Sequence, residues 1–144
     1  MDRKQRIEVL LDHVENPRHQ GVLDGADVIM PGGSLECGGS VVIYLKGKED
    51  GRIEDVSFTG EGDTLSMAGS SMILEKVVSE SLTMDEVLAL DYEQFVDSVA
   101  RDLVGSRTRN ATLGLSTLKA AVRKYQRDLI QNGSAGNRSV AEIS

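Results

Sequence analysis

The fold is decided by residues 40–59, which read SVVIYLKGKEDGRIEDVSFT. Residues 40–46 are rich in β-branched and aromatic side chains, which favour a β-strand. Residues 52–59 alternate in polarity, with Val56 and Phe58 on one face. Between the two runs, Asp50-Gly51 is a strong signal for a tight hairpin turn. The stretch therefore predicts an antiparallel β-hairpin.

The residues before this hairpin predict a helix and a third strand. Residues 4–14 carry apolar side chains at the i, i+3, i+4, i+7 spacing of an amphipathic helix. Asn16-Pro17 ends that helix, because a residue before proline is pushed out of the α region. Residues 26–30 predict a short strand, which Pro31-Gly32-Gly33 then breaks.

Helical signals follow the hairpin. The pattern becomes helical from Thr64, and Thr83-Met84-Asp85-Glu86 has the Thr-x-x-Glu pattern of a capping box. Asp91 predicts the cap of a further helix that runs to about Leu103. The last helix starts near Ala111 and carries an apolar stripe at 3-4 spacing. The stripe consists of Leu115, Leu118, Val122, Tyr125 and Leu129. The order of elements predicts an α+β fold, a small three-stranded antiparallel sheet with helices packed on one face.

The composition fits a single domain. The chain has 144 residues, 40% of them hydrophobic, with a formal net charge of −7. We expect one domain over residues 1–130 and a flexible C-terminal tail over residues 131–144. The apolar runs fall far short of the roughly 20 residues of a membrane helix, and the N-terminus lacks a secretory signal. We therefore expect a cytoplasmic protein without a membrane partner.

The charge is unevenly distributed. Residues 49–97 contain 13 acidic and 2 basic side chains, whereas residues 101–128 contain 7 basic and 2 acidic ones. This asymmetry would steer a charged protein partner, or both stretches are simply solvated helix faces. The basic residues lack the repeated aromatic side chains that favour nucleic-acid binding, so no nucleic-acid partner is expected.

Five segments of the chain form an ordered series of motifs. They are residues 12–18 (DHVENPR), 33–38 (GSLECG), 51–60 (GRIEDVSFTG), 68–72 (AGSSM) and 107–113 (RTRNATL). In this order they resemble the iron–sulfur cluster assembly scaffold family of the NifU N-terminal, IscU and SufU type. The resemblance covers about residues 6–128.

The resemblance implies a scaffold that receives sulfur from a cysteine desulfurase and passes a cluster to an iron–sulfur client protein. It also implies a site of three cysteines and an aspartate that holds an iron–sulfur cluster, iron or zinc. In this chain only Cys37 matches a ligand. Asp63 stands at the second cysteine position, Asn110 at the third and Gly39 at the aspartate position. Arg109 replaces the histidine found beside the third cysteine in the IscU branch.

Each of these residues has two interpretations. Asp63 and Asn110 precede predicted helices, so they are either plain helix caps or members of a weak metal site with Cys37. Cys37, the only cysteine, lies in a glycine-rich loop. It is either a reachable thiol, which accepts a persulfide or bridges a cluster between two chains, or a small residue packed under the hairpin. For His13 the position at a helix end predicts a structural role.

Two functions follow from these interpretations. The first is a scaffold-like protein in which iron, zinc or cluster binding is weak or lost and Cys37 accepts sulfur. The second is a non-catalytic interaction module that binds a desulfurase or client protein without metal. No general base, nucleophile pair or cofactor loop is evident, so an enzyme is not expected. The sequence leaves the oligomeric state open, a homo-oligomer included.

Overall fold

The computed structural model describes residues 2–138, with side chains described for residues 2–132. In this range, the three strands lie between one N-terminal helix and a C-terminal series of five helices. In order they are α1 (Arg3–Glu15), β1 (Val28–Ser34), a 3-10 turn (Leu35–Cys37), β2 (Gly39–Gly47), β3 (Ile53–Gly62), α2 (Thr64–Ser79), α3 (Met84–Leu88), α4 (Tyr92–Val99), α5 (Arg101–Val104) and α6 (Thr108–Arg138).

The three strands form one antiparallel sheet in the order β1-β2-β3. In the β2–β3 turn, the N–H of Gly51 donates to the carbonyl of Lys48 at 3.0 Å. Gly51 has a φ of +93°, a backbone conformation that glycine adopts without steric penalty. The hairpin predicted from residues 40–59 is confirmed.

One face of the sheet is buried and the other is open. Along β2, the buried side chains of Val41, Ile43 and Leu45 alternate with partly exposed ones. Helices α2 and α6 cover the buried face. The stripe predicted on α6 lies in this core, with Leu115, Leu118, Val122 and Tyr125 buried and Leu129 packed at its margin. The predicted α+β class, with helices on one face of a three-stranded antiparallel sheet, is confirmed.

Strand β1 runs through Pro31-Gly32-Gly33, where the sequence predicts a break. Since β1 is an edge strand, the missing N–H of Pro31 leaves no gap in a central ladder. Gly32 allows α6 to approach closely, because a Cβ at this position would lie 2.0 Å from Thr117 Oγ1. The predicted break is wrong because edge position and helix packing outweigh local turn propensity here.

The helices between the sheet and α6 begin where their caps were predicted. Thr83 and Glu86 form the capping box of α3. Asp91 caps α4 by accepting the N–H of Glu93 at 2.8 Å. That helix ends at Val99 rather than near Leu103, because Ala100 has a φ of +134° that interrupts the helical backbone.

Both ends of α6 differ from the prediction. The helix begins at Thr108 rather than near Ala111 and continues to Arg138. The tail predicted from residue 131 therefore overlaps a helix as far as residue 138, and its residues 139–144 lie outside the described residues. Among the helices described, none combines the length and apolar character needed to cross a membrane.

Helix α1 is attached to α2 through His13, whose side chain is buried. His13 Nδ1 lies 2.7 Å from Ser71 Oγ, and Ser71 Oγ also accepts the N–H of Arg18 at 2.7 Å. Burial lowers the pKa of His13, because desolvation disfavours the charged imidazolium. The structural role predicted for His13 is confirmed.

Candidate functional site

Three segments of the chain meet at one end of the sheet. Cys37 ends the turn after β1, Asp63 follows β3, and Asn110 lies in the first turn of α6. Asn110 Nδ2 is 2.8 Å from Asp63 Oδ2 and 3.5 Å from the carbonyl oxygen of Cys37. The fold thus brings together the three residues singled out in the sequence.

Cys37 is fixed by its backbone and exposed through its side chain. Ser34 Oγ accepts the N–H of Cys37 at 3.3 Å, and Gly38 ends the turn in the left-handed region with a φ of +105°. The alternative in which Cys37 packs under the hairpin is wrong, because the turn directs residues 35–37 away from the core. The thiol is therefore reachable by a second molecule.

Asp63 uses both of its carboxylate oxygens. Oδ1 accepts the N–H of Ser66 at 2.7 Å, which caps α2 as predicted. Oδ2 accepts the amide of Asn110, and Arg107 Nη1 lies 3.7 Å away. Since only 27% of this side chain is exposed, solvent screens these interactions only in part.

Asn110 is not the helix cap that the sequence predicts. It is the third residue of α6, because the helix starts at Thr108. Its amide nitrogen instead donates across to Asp63 and to the backbone of Cys37. A donating amide nitrogen has no lone pair for a metal, so this nitrogen joins α6 to the two loops.

A cleft of about 560 Å³ opens beside Cys37. Arg109 and Leu113 line one side of it, and Ser66 lines another. Ser66 Oγ is fully buried and has no hydrogen-bond partner within the described part of the chain. Ser66 could not be singled out from the sequence, because nothing there distinguishes it from the other small residues on α2.

The side chains at this end of the sheet that could bind a metal are few, and those of Asp63 and Asn110 already form hydrogen bonds. Cys37 is one thiol, the Asp63 oxygens accept hydrogen bonds, and the Asn110 nitrogen donates them. Over residues 2–132, no three His, Cys, Asp or Glu side chains are grouped so that they could hold a metal ion.

Known proteins share both the sequence and the fold. Residues 5–131 match the family model described as NifU-like N terminal domain. The iron-sulfur cluster assembly scaffold protein IscU of Thermotoga maritima is 33% identical over 106 residues, which are 74% of this chain and 72% of that protein. The zinc-dependent sulfurtransferase SufU of Bacillus subtilis is 28% identical over 134 residues, covering 83% of this chain and 90% of SufU.

The fold comparison agrees with this result. The crystal structure of a nitrogen-fixing NifU-like protein (N-terminal) from Brucella abortus superposes with a TM-score of 0.69 at 20% identity, over 88% of this chain and 99% of that one. At this identity the likeness concerns the fold alone. With the family model matched over nearly the whole described chain, the protein belongs to the NifU-like N-terminal domain family of iron–sulfur cluster assembly scaffolds.

Proposed function

We propose that this protein takes part in iron–sulfur cluster assembly as a sulfur acceptor, with Cys37 receiving sulfur from a cysteine desulfurase. The observation that carries the proposal is the exposure of Cys37 beside two ligand positions that are bonded to each other. The relative named a zinc-dependent sulfurtransferase supports sulfur transfer on this fold. The protein then acts as a scaffold-like carrier rather than an enzyme.

The transfer needs no reactant beyond the donor. The Cys37 thiolate attacks the outer sulfur of a persulfide on the desulfurase, and a new sulfur–sulfur bond forms on Cys37. The bond inside the donor persulfide breaks, and its electron pair leaves with the donor cysteine as a thiolate. One sulfur atom moves and no net oxidation occurs.

A resident metal or cluster does not fit the residues of a single chain. Structural zinc sites use four ligands, and iron–sulfur clusters are held mainly by cysteine thiolates. Here Cys37 supplies a single thiol, and Asp63 and Asn110 can add only oxygen ligands, which hold zinc or iron less firmly than thiolates do. Binding of iron, zinc or a cluster is therefore weak or lost at Cys37, Asp63 and Asn110.

The same hydrogen bonds favour a second candidate function, a non-catalytic interaction module. The Asp63–Asn110 bond and the nearby Arg107 hold the three segments together without metal. A surface kept in shape this way would bind a desulfurase or an iron–sulfur client protein even if Cys37 accepted no sulfur.

Anaerobic incubation with a cysteine desulfurase and cysteine separates these functions. We expect one added sulfur atom on Cys37 by mass spectrometry, and none in Cys37→Ser. Addition of iron should yield no stable cluster absorption. Absence of persulfide on Cys37 while the desulfurase turns over would refute sulfur acceptance, and unchanged co-purification of Cys37→Ser with the desulfurase would then favour the interaction module.

A further inference from the structure

We propose that the cleft beside Cys37 binds a small anion that carries a sulfane sulfur, and that Cys37 takes up this sulfur. The inference rests on the proposed function, because it names a second kind of donor for the same thiol. It is carried by the positive charge on one wall of the cleft and by an unpartnered hydroxyl on another.

The positive wall is the beginning of α6. Arg109 lines the cleft, its side chain is exposed, and it forms no ion pair among the described side chains. The first turn of α6 contains no acidic residue, and this 31-residue helix presents unpaired backbone N–H groups at its N-terminus. The partial positive charge of a helix N-terminus favours an anion there.

Three carboxylates flank the cleft and oppose an anion, and they belong to Asp63, Glu36 and Glu61. Glu61 is exposed on β3 opposite Ser40, so water and salt screen its charge. Asp63 is compensated, because it accepts the amide of Asn110 and lies 3.7 Å from the Arg107 guanidinium. Glu36 is exposed on the turn beside Cys37, where water and salt screen its charge. Among the described residues that line the cleft, Arg109 is the one that carries a formal charge.

The second, independent observation is the hydroxyl of Ser66. Its oxygen is buried and lacks a hydrogen-bond partner, and Ser66 is one of the residues that line the cleft. A buried hydroxyl without a partner carries a desolvation penalty, which a ligand oxygen would remove. The Ser66 side chain lies against Gly39, since a Cβ on Gly39 would be 2.7 Å from Ser66 Oγ. The absence of a side chain at Gly39 therefore lets Ser66 pack directly against the backbone of β2 at the margin of the cleft.

The cleft thus joins an anion-binding wall to an exposed thiol, which fits an anion whose outer atom is sulfur. Thiosulfate is a small probe of this class. The Cys37 thiolate attacks its outer sulfur, a sulfur–sulfur bond forms on Cys37, and the sulfur–sulfur bond of thiosulfate breaks. The electron pair leaves with sulfite, so each transfer yields one persulfide and one sulfite without an external oxidant.

The test uses the full-length protein with thiosulfate, following persulfide on Cys37 by mass spectrometry and sulfite release in parallel. We expect Arg109→Gln to slow the transfer about ten-fold, as for loss of one hydrogen bond to a charged group. Arg123→Gln is the matched control, because it removes an exposed arginine farther along α6, and it should keep the wild-type rate. A second arm with glutathione persulfide distinguishes a carboxylate-bearing donor from a sulfonate-like one.

Ser66→Ala provides a readout that a merely structural role would not give. If Ser66 binds the anion, the variant transfers sulfur several-fold more slowly, while its urea midpoint stays equal or rises because an unpartnered hydroxyl is gone. No transfer from either anion, or equal rates in Arg109→Gln and wild type, would overturn the inference. Persulfide formation from the desulfurase would in that case still uphold the proposed function.

Discussion

Replacing Asp63 with alanine removes the cap of α2 and the partner of Asn110 in one step. Loss of an aspartate N-cap lowers the free energy of unfolding by about 1 kcal/mol. The bond from Asn110 adds about 1 kcal/mol, below the usual range for charged acceptors because 27% of the Asp63 side chain is exposed. The Arg107 pair, at 3.7 Å with 56% of the arginine side chain exposed, adds little. We expect Asp63→Ala to lower the free energy of unfolding by about 2 kcal/mol in total.

Urea unfolding followed by circular dichroism measures this loss, and two variants separate its parts. Asp63→Asn keeps a capping side chain, so it should lose only about half of the effect. Asn110→Ala removes the bridge alone, and the double alanine variant should reveal a coupling of about 1 kcal/mol between the two positions. A chelator should leave all these values unchanged. Additive single variants, a loss below about 0.5 kcal/mol for Asp63→Ala, or wild-type destabilisation by the chelator would refute hydrogen bonding in place of a metal.

Three further changes test other parts of the structure. Asp63→Cys combined with Asn110→Cys places three thiols at the site, and we expect elemental analysis to find bound zinc that the wild type does not retain; a zinc-free double variant would contradict the convergence of these positions. His13→Gln removes a base whose pKa burial lowers, so the unfolded state takes up its proton first as the pH falls. Wild-type stability should therefore decline below about pH 6.5 and that decline should shrink in the variant, whereas equal urea midpoints across this range would count against a neutral buried ring. Gly32→Ala places a Cβ 2.0 Å from Thr117 Oγ1 and should lower the free energy of unfolding by about 2 kcal/mol, with partial recovery on Thr117→Ala; a melting temperature equal to the wild type would disprove the close approach.

The parts of the fold that depend on local signals could be predicted from the sequence. The hairpin follows from Asp50-Gly51 between a run rich in β-branched residues and a run of alternating polarity. The caps at Thr83 and Asp91 lie where their side chains predict them. The apolar stripe on α6 is buried because its period matches a helix packed on one face. These features need only a few neighbouring residues to form, so a short window of sequence contains them.

The parts that depend on tertiary contacts were not predictable in the same way. Pro31-Gly32-Gly33 has the composition of a turn, and only its place at a sheet edge against α6 makes it a strand. Asn is a residue type that favours a helix cap. Because α6 starts earlier, at Thr108, Asn110 lies inside the helix and its amide donates to Asp63. The orphaned hydroxyl of Ser66 is visible only once the cavity around it exists. The three positions thus lie together, as the resemblance implied, and their hydrogen bonds had to be read from the structure.

The close approach of Gly32 to α6 is one of three such contacts. Together they fix the position of this stretch of backbone along the helix. A Cβ atom placed on any of three glycines between residues 32 and 38 would lie within 3.0 Å of a side chain of α6. The pairs are Gly32 with Thr117, Gly33 with Leu113 and Gly38 with Asn110, and the three α6 residues follow one another at about one helical turn. The position of Cys37 along α6 is therefore set by the number of residues between Gly32 and Gly38. One residue inserted before Cys37 would slide the thiol by about 3.3 Å, more than half a helical turn, and leave the β2–β3 hairpin untouched. The location of this thiol therefore depends on the number of residues in this stretch of backbone. A change in strand length should displace the thiol more than an exchange of side chains would.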